Sequence, residues 1–161
     1  MKNKKGYTLI ELIIFMGMFS VLLMVFSQIF AVIIDTRLES ESTSVVAQDG
    51  HYLLNRLTYD ISRASAINTP SSLGSPSPTL DLTINSVNNL YSLQNGDLQL
   101  TIAGTSYQLN NADTTISNLN FLRIGNGDGR DTIQFGYTVT SNIQEANGSE
   151  TKDYQTTVGL R

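Results

Sequence analysis

The sequence predicts an α+β protein in which one long N-terminal helix is followed by an antiparallel β-sheet. The first 34 residues are strongly apolar. Residues 35–67 contain no proline, and their apolar residues recur at the spacing of one helix face. From residue 79 to the end, apolar and polar residues alternate between turn signals, a pattern typical of strands with one buried face.

The apolar segment predicts a membrane-spanning helix over residues 7–34. Leu12 to Ile34 contains no charged residue, and a helix of that length reaches ~35 Å, enough for a hydrocarbon core of about 30 Å. A buried core helix is disfavoured because the rest of the chain is too small to cover it on every side. A secretory signal peptide is disfavoured because the apolar run is too long and the residues from Asp35 on form a poor cleavage site.

The charges predict the orientation of this helix in the membrane. Lys2, Lys4 and Lys5 precede the apolar run, so the N-terminus is expected in the cytoplasm and the remainder outside. The whole chain has a net charge of −4, and without these three lysines seven basic and fourteen acidic side chains remain, a net charge of −7. This acidic balance argues against broad nucleic-acid binding. The chain has no cysteine, which excludes disulfides and cysteine nucleophiles.

Residues 35–67 are predicted to continue the helix as an amphipathic segment. We expect it to end just before Pro70, because the residue preceding a proline avoids helical angles. One face is apolar or small and is expected to cover the sheet; its members are Val46, Leu53, Leu57, Ile61 and Ala64. His51, the single histidine, is interpreted as polar surface.

Residues 68–161 are predicted to form a loop and then the antiparallel sheet. Strands are expected near 80–84, 90–93, 98–102, 106–109, 119–124, 132–140 and 154–160. Asn95-Gly96 between two of them is a tight-turn signal. The segment 126–131 has calcium-loop residue types without the alternating ligand pattern, so a turn is preferred. We find no catalytic set, no metal-ligand cluster and no cofactor motif, and expect no enzyme.

One charge interrupts the apolar segment near its start, in the stretch Gly6-Tyr7-Thr8-Leu9-Ile10-Glu11-Leu12. A carboxylate inside a membrane span is costly and is a functional hypothesis by default, the alternative being a side chain that reaches the headgroups. The stretch resembles the class III signal of the type IV pilin and type II secretion pseudopilin family. The resemblance covers about 30 residues and rests on the lysines, the glycine and the glutamate five residues later.

The resemblance implies a processing and an assembly site. A prepilin peptidase would remove residues 1–6 by cutting between Gly6 and Tyr7, and Tyr7 would be N-methylated. Tyrosine stands where most family members have phenylalanine. Glu11 would pair with the N-terminal amine of a neighbouring subunit. The implied partners are other pilin or pseudopilin subunits, the peptidase and methyltransferase, the inner-membrane assembly platform and, before assembly, the lipid bilayer.

The resemblance further implies a structural filament subunit, first anchored in the bacterial cytoplasmic membrane and then part of a surface or periplasmic filament. Residues 53–64 and the C-terminal residues 154–161 are similar to those of minor members, and the absence of cysteine agrees with a minor role. The alternative is a tip or competence pseudopilin whose sheet domain captures a ligand. DNA is one such ligand, for which Arg123 and Arg130 would form a local basic patch.

Overall fold

The computed structural model describes residues 7–125, 131–145 and 148–160. The chain divides into two compact units, Met1–Leu38 and Glu39–Arg161. The described part of the first unit is almost entirely helical. The second unit contains the remainder of the helix and the β-strands, so the α+β class is confirmed.

The helix α1 extends over Leu9–Arg63. Its end lies four residues before the predicted end at Ile67, because Ala66–Thr69 forms the first strand, β1, instead. The Ser65 amide already donates to the carbonyl oxygen of Thr83 at 2.8 Å, which draws the chain into the sheet. Pro70 follows and favours this extended backbone in the residues before it.

The strands form two antiparallel sheets, where the sequence predicted one. The five-stranded sheet has the order β1-β3-β4-β5-β6, and the four-stranded sheet has the order β2-β7-β8-β9. After β1, the bounds are β2 Pro76–Ser77, β3 Leu80–Ile84, β4 Val87–Gln94, β5 Asp97–Ile102, β6 Thr105–Gln108, β7 Thr114–Ile124, β8 Thr132–Ser141 and β9 Thr151–Gly159. The strand β2 and the last two residues of β1 fall within the predicted loop 68–78.

The hairpin β4–β5 turns at Asn95-Gly96, as the sequence predicted. Both residues have positive φ, 53° and 89°, which is the geometry of a two-residue turn that matches the twist of its strands. Gly96 also lies close to β7, because a Cβ there would lie 2.6 Å from Cγ2 of Thr115. The turn therefore needs glycine both for its backbone angles and for its packing.

One hydrophobic core joins the helix of the second unit to both sheets. The predicted helix face is confirmed, since all five of its members are buried. They pack with buried residues of the first sheet (Leu80, Leu82, Ile84, Tyr91, Leu98, Leu100) and of the second (Ile116, Leu119, Phe121, Ile133, Phe135, Tyr137, Val139, Tyr154). The alternation predicted for 132–140 is also confirmed, because Ile133, Phe135, Tyr137 and Val139 are all buried.

Candidate processing and assembly site

The first turn of α1 is fixed by a local cap at Thr8. The Thr8 side-chain oxygen accepts a hydrogen bond from the Glu11 amide at 3.3 Å, and its carbonyl oxygen accepts one from the Leu12 amide at 3.2 Å. Thr8 and Glu11 have the spacing of a capping box. The carboxylate of Glu11 also lies in the first turn, where the helix dipole favours a negative charge. The sequence thus starts the helix directly after its cap at Thr8.

Tyr7 and Glu11 lie close together at this end of the helix. Tyr7 is 86% exposed, and Glu11 is exposed as well. Together with Leu12 and Phe15 they line a groove of about 350 Å³. The two ion pairs found among the described residues, Arg56–Asp60 and Arg123–Asp131, do not include Glu11. Gly6, on the other side of the predicted cleavage position, lies outside the described residues.

The helix around this site has an apolar surface that the chain itself does not cover. The most apolar 18-residue window of α1 has a mean hydropathy of 2.6 and no buried residue. By length and composition, α1 is able to cross a membrane. An exposed apolar surface of this extent marks a membrane or protein contact.

Two tyrosines of the four-stranded sheet form hydrogen bonds with the backbone of α1. The hydroxyl of Tyr137 donates to the carbonyl oxygen of Gly50 at 2.7 Å, and that of Tyr154 donates to the carbonyl oxygen of Val46 at 3.2 Å. The two rings stack with centroids 5.6 Å apart. Burial raises the pKa of Tyr137, with Tyr154 adding to the shift. Burial likewise raises the pKa of Tyr154.

Gly50 allows this approach. A methyl group at Gly50 would overlap the ring of Tyr154. Gly50 is the only glycine in residues 35–67, and this role was not predicted from the sequence. A glycine within a helix costs ~1 kcal/mol relative to alanine. A glycine at such a position therefore indicates that another group packs closely against the helix.

Two buried carboxylates of the helix accept hydrogen bonds from the sheets, and neither was predicted from the sequence. Asp60 accepts hydrogen bonds from the hydroxyl of Tyr91 at 2.5 Å and from Nε of Arg56 at 2.7 Å. Burial, strengthened by the hydrogen bond to Asp60, raises the pKa of Tyr91. Asp49 accepts from the amide of Asn111 at 2.7 Å and from the hydroxyl of Thr114 at 2.5 Å. Each carboxylate thus accepts two hydrogen bonds, and Asp60 also forms an ion pair with Arg56, which offsets the cost of burial.

The remaining candidate residues do not come together as a site. His51 is exposed and meets the ring of Tyr154 edge-on, with centroids 5.7 Å apart. Arg123 donates to Asp131 and to the carbonyl oxygens of Ile67 and Pro70. Its guanidinium is therefore occupied within the domain, while Arg130 lies outside the described residues. Within the described ranges, no group of three or more histidine, cysteine or acidic residues is placed to hold a metal ion.

The comparison with protein families identifies the N-terminal segment. Residues 1–27 match the model of the prokaryotic N-terminal methylation motif. Comparisons with curated proteins and with solved structures gave no significant match. The matched residues contain the predicted cleavage position, Tyr7 and Glu11, and they overlap the exposed apolar part of α1.

The motif agrees with the layout of helix and sheets. The layout of one long helix followed by antiparallel sheets is pilin-like, and the motif at residues 1–27 supports a class III signal peptide. The motif points to a structural subunit rather than an enzyme, and it implies processing by a prepilin peptidase and association with other pilin-type subunits. The apolar helix near the N-terminus and the motif together indicate membrane anchoring.

Proposed function

We propose that this protein is a structural subunit, of the minor type, of a type IV pilus or pseudopilus filament. The observation that carries the proposal is the methylation motif at residues 1–27 on a helix whose apolar surface is exposed. An isolated chain can cover that surface only with lipid, and an assembled chain can cover it with the helices of its neighbours. The helix thus serves first as an anchor and then as a packing surface.

Processing prepares the subunit for assembly. The peptidase cuts between Gly6 and Tyr7 at the cytoplasmic face of the membrane, and the methyltransferase modifies the new amine of Tyr7. The cut removes the three lysines of residues 1–6, whose charges hold that end in the cytoplasm. The exposed position of Tyr7, two residues before the start of the helix, supports an accessible N-terminus.

Glu11 sets the position of one subunit against the next. In a bundle of apolar helices an unpaired carboxylate is costly, and pairing with the amine of a neighbouring Tyr7 offsets most of that cost. Only certain axial positions of a neighbouring helix allow the pair, so the charge selects the register. The exposure of Glu11 beside Tyr7 supports this role, because both groups are available to a second subunit.

A charge substitution at Glu11 tests the proposal. Glu11→Gln keeps the size and polarity of the side chain but removes the charge that would pair with the amine. We expect the variant to be processed, to remain in the membrane, and to enter sheared filaments at least ~10-fold less than the wild type, the equivalent of about 1.4 kcal/mol. Glu39→Gln, an exposed carboxylate on the same helix, is the matched control and should assemble normally. Normal incorporation of Glu11→Gln would contradict the assembly role.

A further inference from the structure

The face of the four-stranded sheet that points away from the core carries a cleft centred on a glycine. Phe135 and Tyr137 of β8 are buried in the core, so Gly136 between them faces outward. Its neighbours across the sheet are Asn120 on β7 and Gln155 on β9. Strands lie about 4.8 Å apart, so the backbones that carry these two amides are separated by ~10 Å, with no side chain between them. We call this space the glycine cleft, and its lining includes Asn118, Asn120, Gln134, Gly136, Asp153 and Gln155.

The fold itself does not require a glycine at the centre of this cleft. The φ angle of Gly136 lies outside the left-handed region. A Cβ at this position would have the carbonyl oxygen of Tyr154 as its nearest neighbour, at 3.4 Å, and would overlap no other atom. A glycine inside a strand weakens the strand, and it often marks a place where a ligand approaches the backbone closely. The space above Gly136 is therefore where a ligand would lie.

A bulge in β7 and a buried hydroxyl order one wall of the glycine cleft. The register of β7 against β8 shifts between Ser117 and Asn120, and Asn118 within the bulge has a φ of 53°. The hydroxyl of Thr138, a residue 7% exposed, accepts from Nδ2 of Asn118 at 3.1 Å and donates to Oδ1 of Asp153 at 2.6 Å. Bulges often re-aim side chains beside functional sites. This one joins side chains from three strands in a fixed arrangement.

The rest of the glycine cleft presents hydrogen-bonding groups that are left for a ligand. Within the described ranges, the side-chain hydrogen bonds at the cleft are those that join Thr138 to its two neighbours. The side-chain amides of Asn120, Gln134 and Gln155 also line the cleft. Each amide offers both donors and an acceptor, which is what a pair of sugar hydroxyls requires. Leu122 adds an apolar contact for the carbon-bound hydrogens of a sugar ring.

The charges and the size of the glycine cleft favour a small neutral ligand. No basic side chain is among the described residues that line it, and Asp153 is its one carboxylate. A phosphate or a nucleic acid would meet a negative charge and no cation to bind it. The volume of about 380 Å³ lies within the ~300–1,000 Å³ of typical small-molecule sites.

We propose that the glycine cleft is a binding site for a neutral saccharide. One sugar ring lies over Gly136, and the amides of Asn120 and Gln155 bond its hydroxyls from the two sides. The carboxylate of Asp153 accepts from a further hydroxyl through the oxygen that Thr138 does not use. The inference goes beyond the filament role, and it gives a ligand class other than DNA to a sheet domain that captures a ligand.

Binding of the full chain to immobilised sugars tests the site. The chain is extracted in a detergent without a sugar head group and applied to an array of neutral oligosaccharides of glucose, galactose and N-acetylglucosamine, with acidic oligogalacturonates beside them. Isothermal titration calorimetry then gives the affinity for each sugar that is bound. We expect binding to at least one neutral oligosaccharide and none to the oligogalacturonates. Failure to bind any neutral sugar, or equal affinity for the acidic ones, would overturn the proposal.

Filling the cleft gives the matched pair of variants. Gly136→Val places a side chain where the sugar ring would lie and should abolish binding. Gly159→Val makes the same change at another outward-facing glycine, where a Cβ would meet the hydroxyl of Thr132 at 3.8 Å. Gly159 does not line the cleft, so this control should bind like the wild type. Full binding by Gly136→Val, or an equal loss in both variants, would contradict the assignment.

A double variant decides the case if Gly136→Val fails to fold. Asn120→Ala/Gln155→Ala changes two exposed side chains, so the fold should be preserved. The loss of their hydrogen bonds should weaken sugar binding by ~10-fold or more. Unchanged affinity in the folded double variant would overturn the proposal. Because the isolated chain is measured, sugar binding by a chain that never enters filaments would support the cleft and remove the filament function.

Discussion

The contact between Gly50 and Tyr154 gives the sharpest prediction on stability. Gly50→Ala adds one methyl group, which would overlap the ring of Tyr154. Overpacking of this kind costs ~1–3 kcal/mol. Alanine recovers about 0.8–1.0 kcal/mol of helix propensity. The ring has little room to yield, because it stacks on Tyr137 and its hydroxyl donates to the helix. We expect a net loss of stability of ~1–2 kcal/mol.

Thermal unfolding of the full chain in detergent micelles, followed by near-ultraviolet circular dichroism, measures this loss. The melting temperature should fall by about 2–8 °C. Asn55→Ala, an exposed position on the same helix, is the control and should change stability by less than ~0.5 kcal/mol.

A second background separates the steric clash from other effects. Tyr154→Ala removes the ring and destabilises the protein by itself, but it also removes the obstacle to a methyl group at Gly50. Adding Gly50→Ala to Tyr154→Ala should therefore be neutral or slightly stabilising. The reasoning is refuted if Gly50→Ala in the otherwise wild-type chain is as stable as the wild type, or if its cost is the same with and without the ring.

Three further predictions concern the core and the turns. Burial raises the pKa of the Tyr91 hydroxyl in the folded protein, so this hydroxyl loses its proton at a lower pH in the unfolded chain. Stability should therefore fall as pH rises above about 10. In an alkaline titration of unfolding, Tyr91→Phe should flatten this fall. In urea unfolding, Leu57→Ala should cost ~2–5 kcal/mol, whereas Leu73→Ala, at a half-exposed position, should cost less than about 0.5 kcal/mol. In the same assay, Gly96→Ala should cost more than ~1 kcal/mol, because of its positive φ and its contact with β7.

The sequence predicted the features that depend on local patterns. The apolar face of α1, the alternation in β8 and the turn at Asn95-Gly96 follow from helix periodicity, strand periodicity and turn chemistry, and the structure confirms each. The start of the helix near Tyr7 and Glu11 could also be predicted from the sequence, because the motif and the cap at Thr8 are contained in nearby residues of the chain.

The features that the sequence did not reveal depend on contacts between distant residues. A period of two shows which side of a strand faces the core, but it does not show which strands are neighbours, so two sheets were taken for one. Asp49 and Asp60 lie three residues after the core positions Val46 and Leu57. That placement predicts burial only once Thr114 and Tyr91 are known to supply the hydrogen bonds.

The N-terminus of the protein recovered from cells with a working prepilin peptidase tests the central claim most directly. Intact mass and sequencing of the N-terminal peptide locate the first residue and any added group. We predict a chain that starts at Tyr7 and carries one methyl group on its amine. A chain that still starts at Met1, or one cut near Asp35, would contradict the account. Such a protein would be a membrane-anchored or secreted domain, with no amine placed to pair with Glu11.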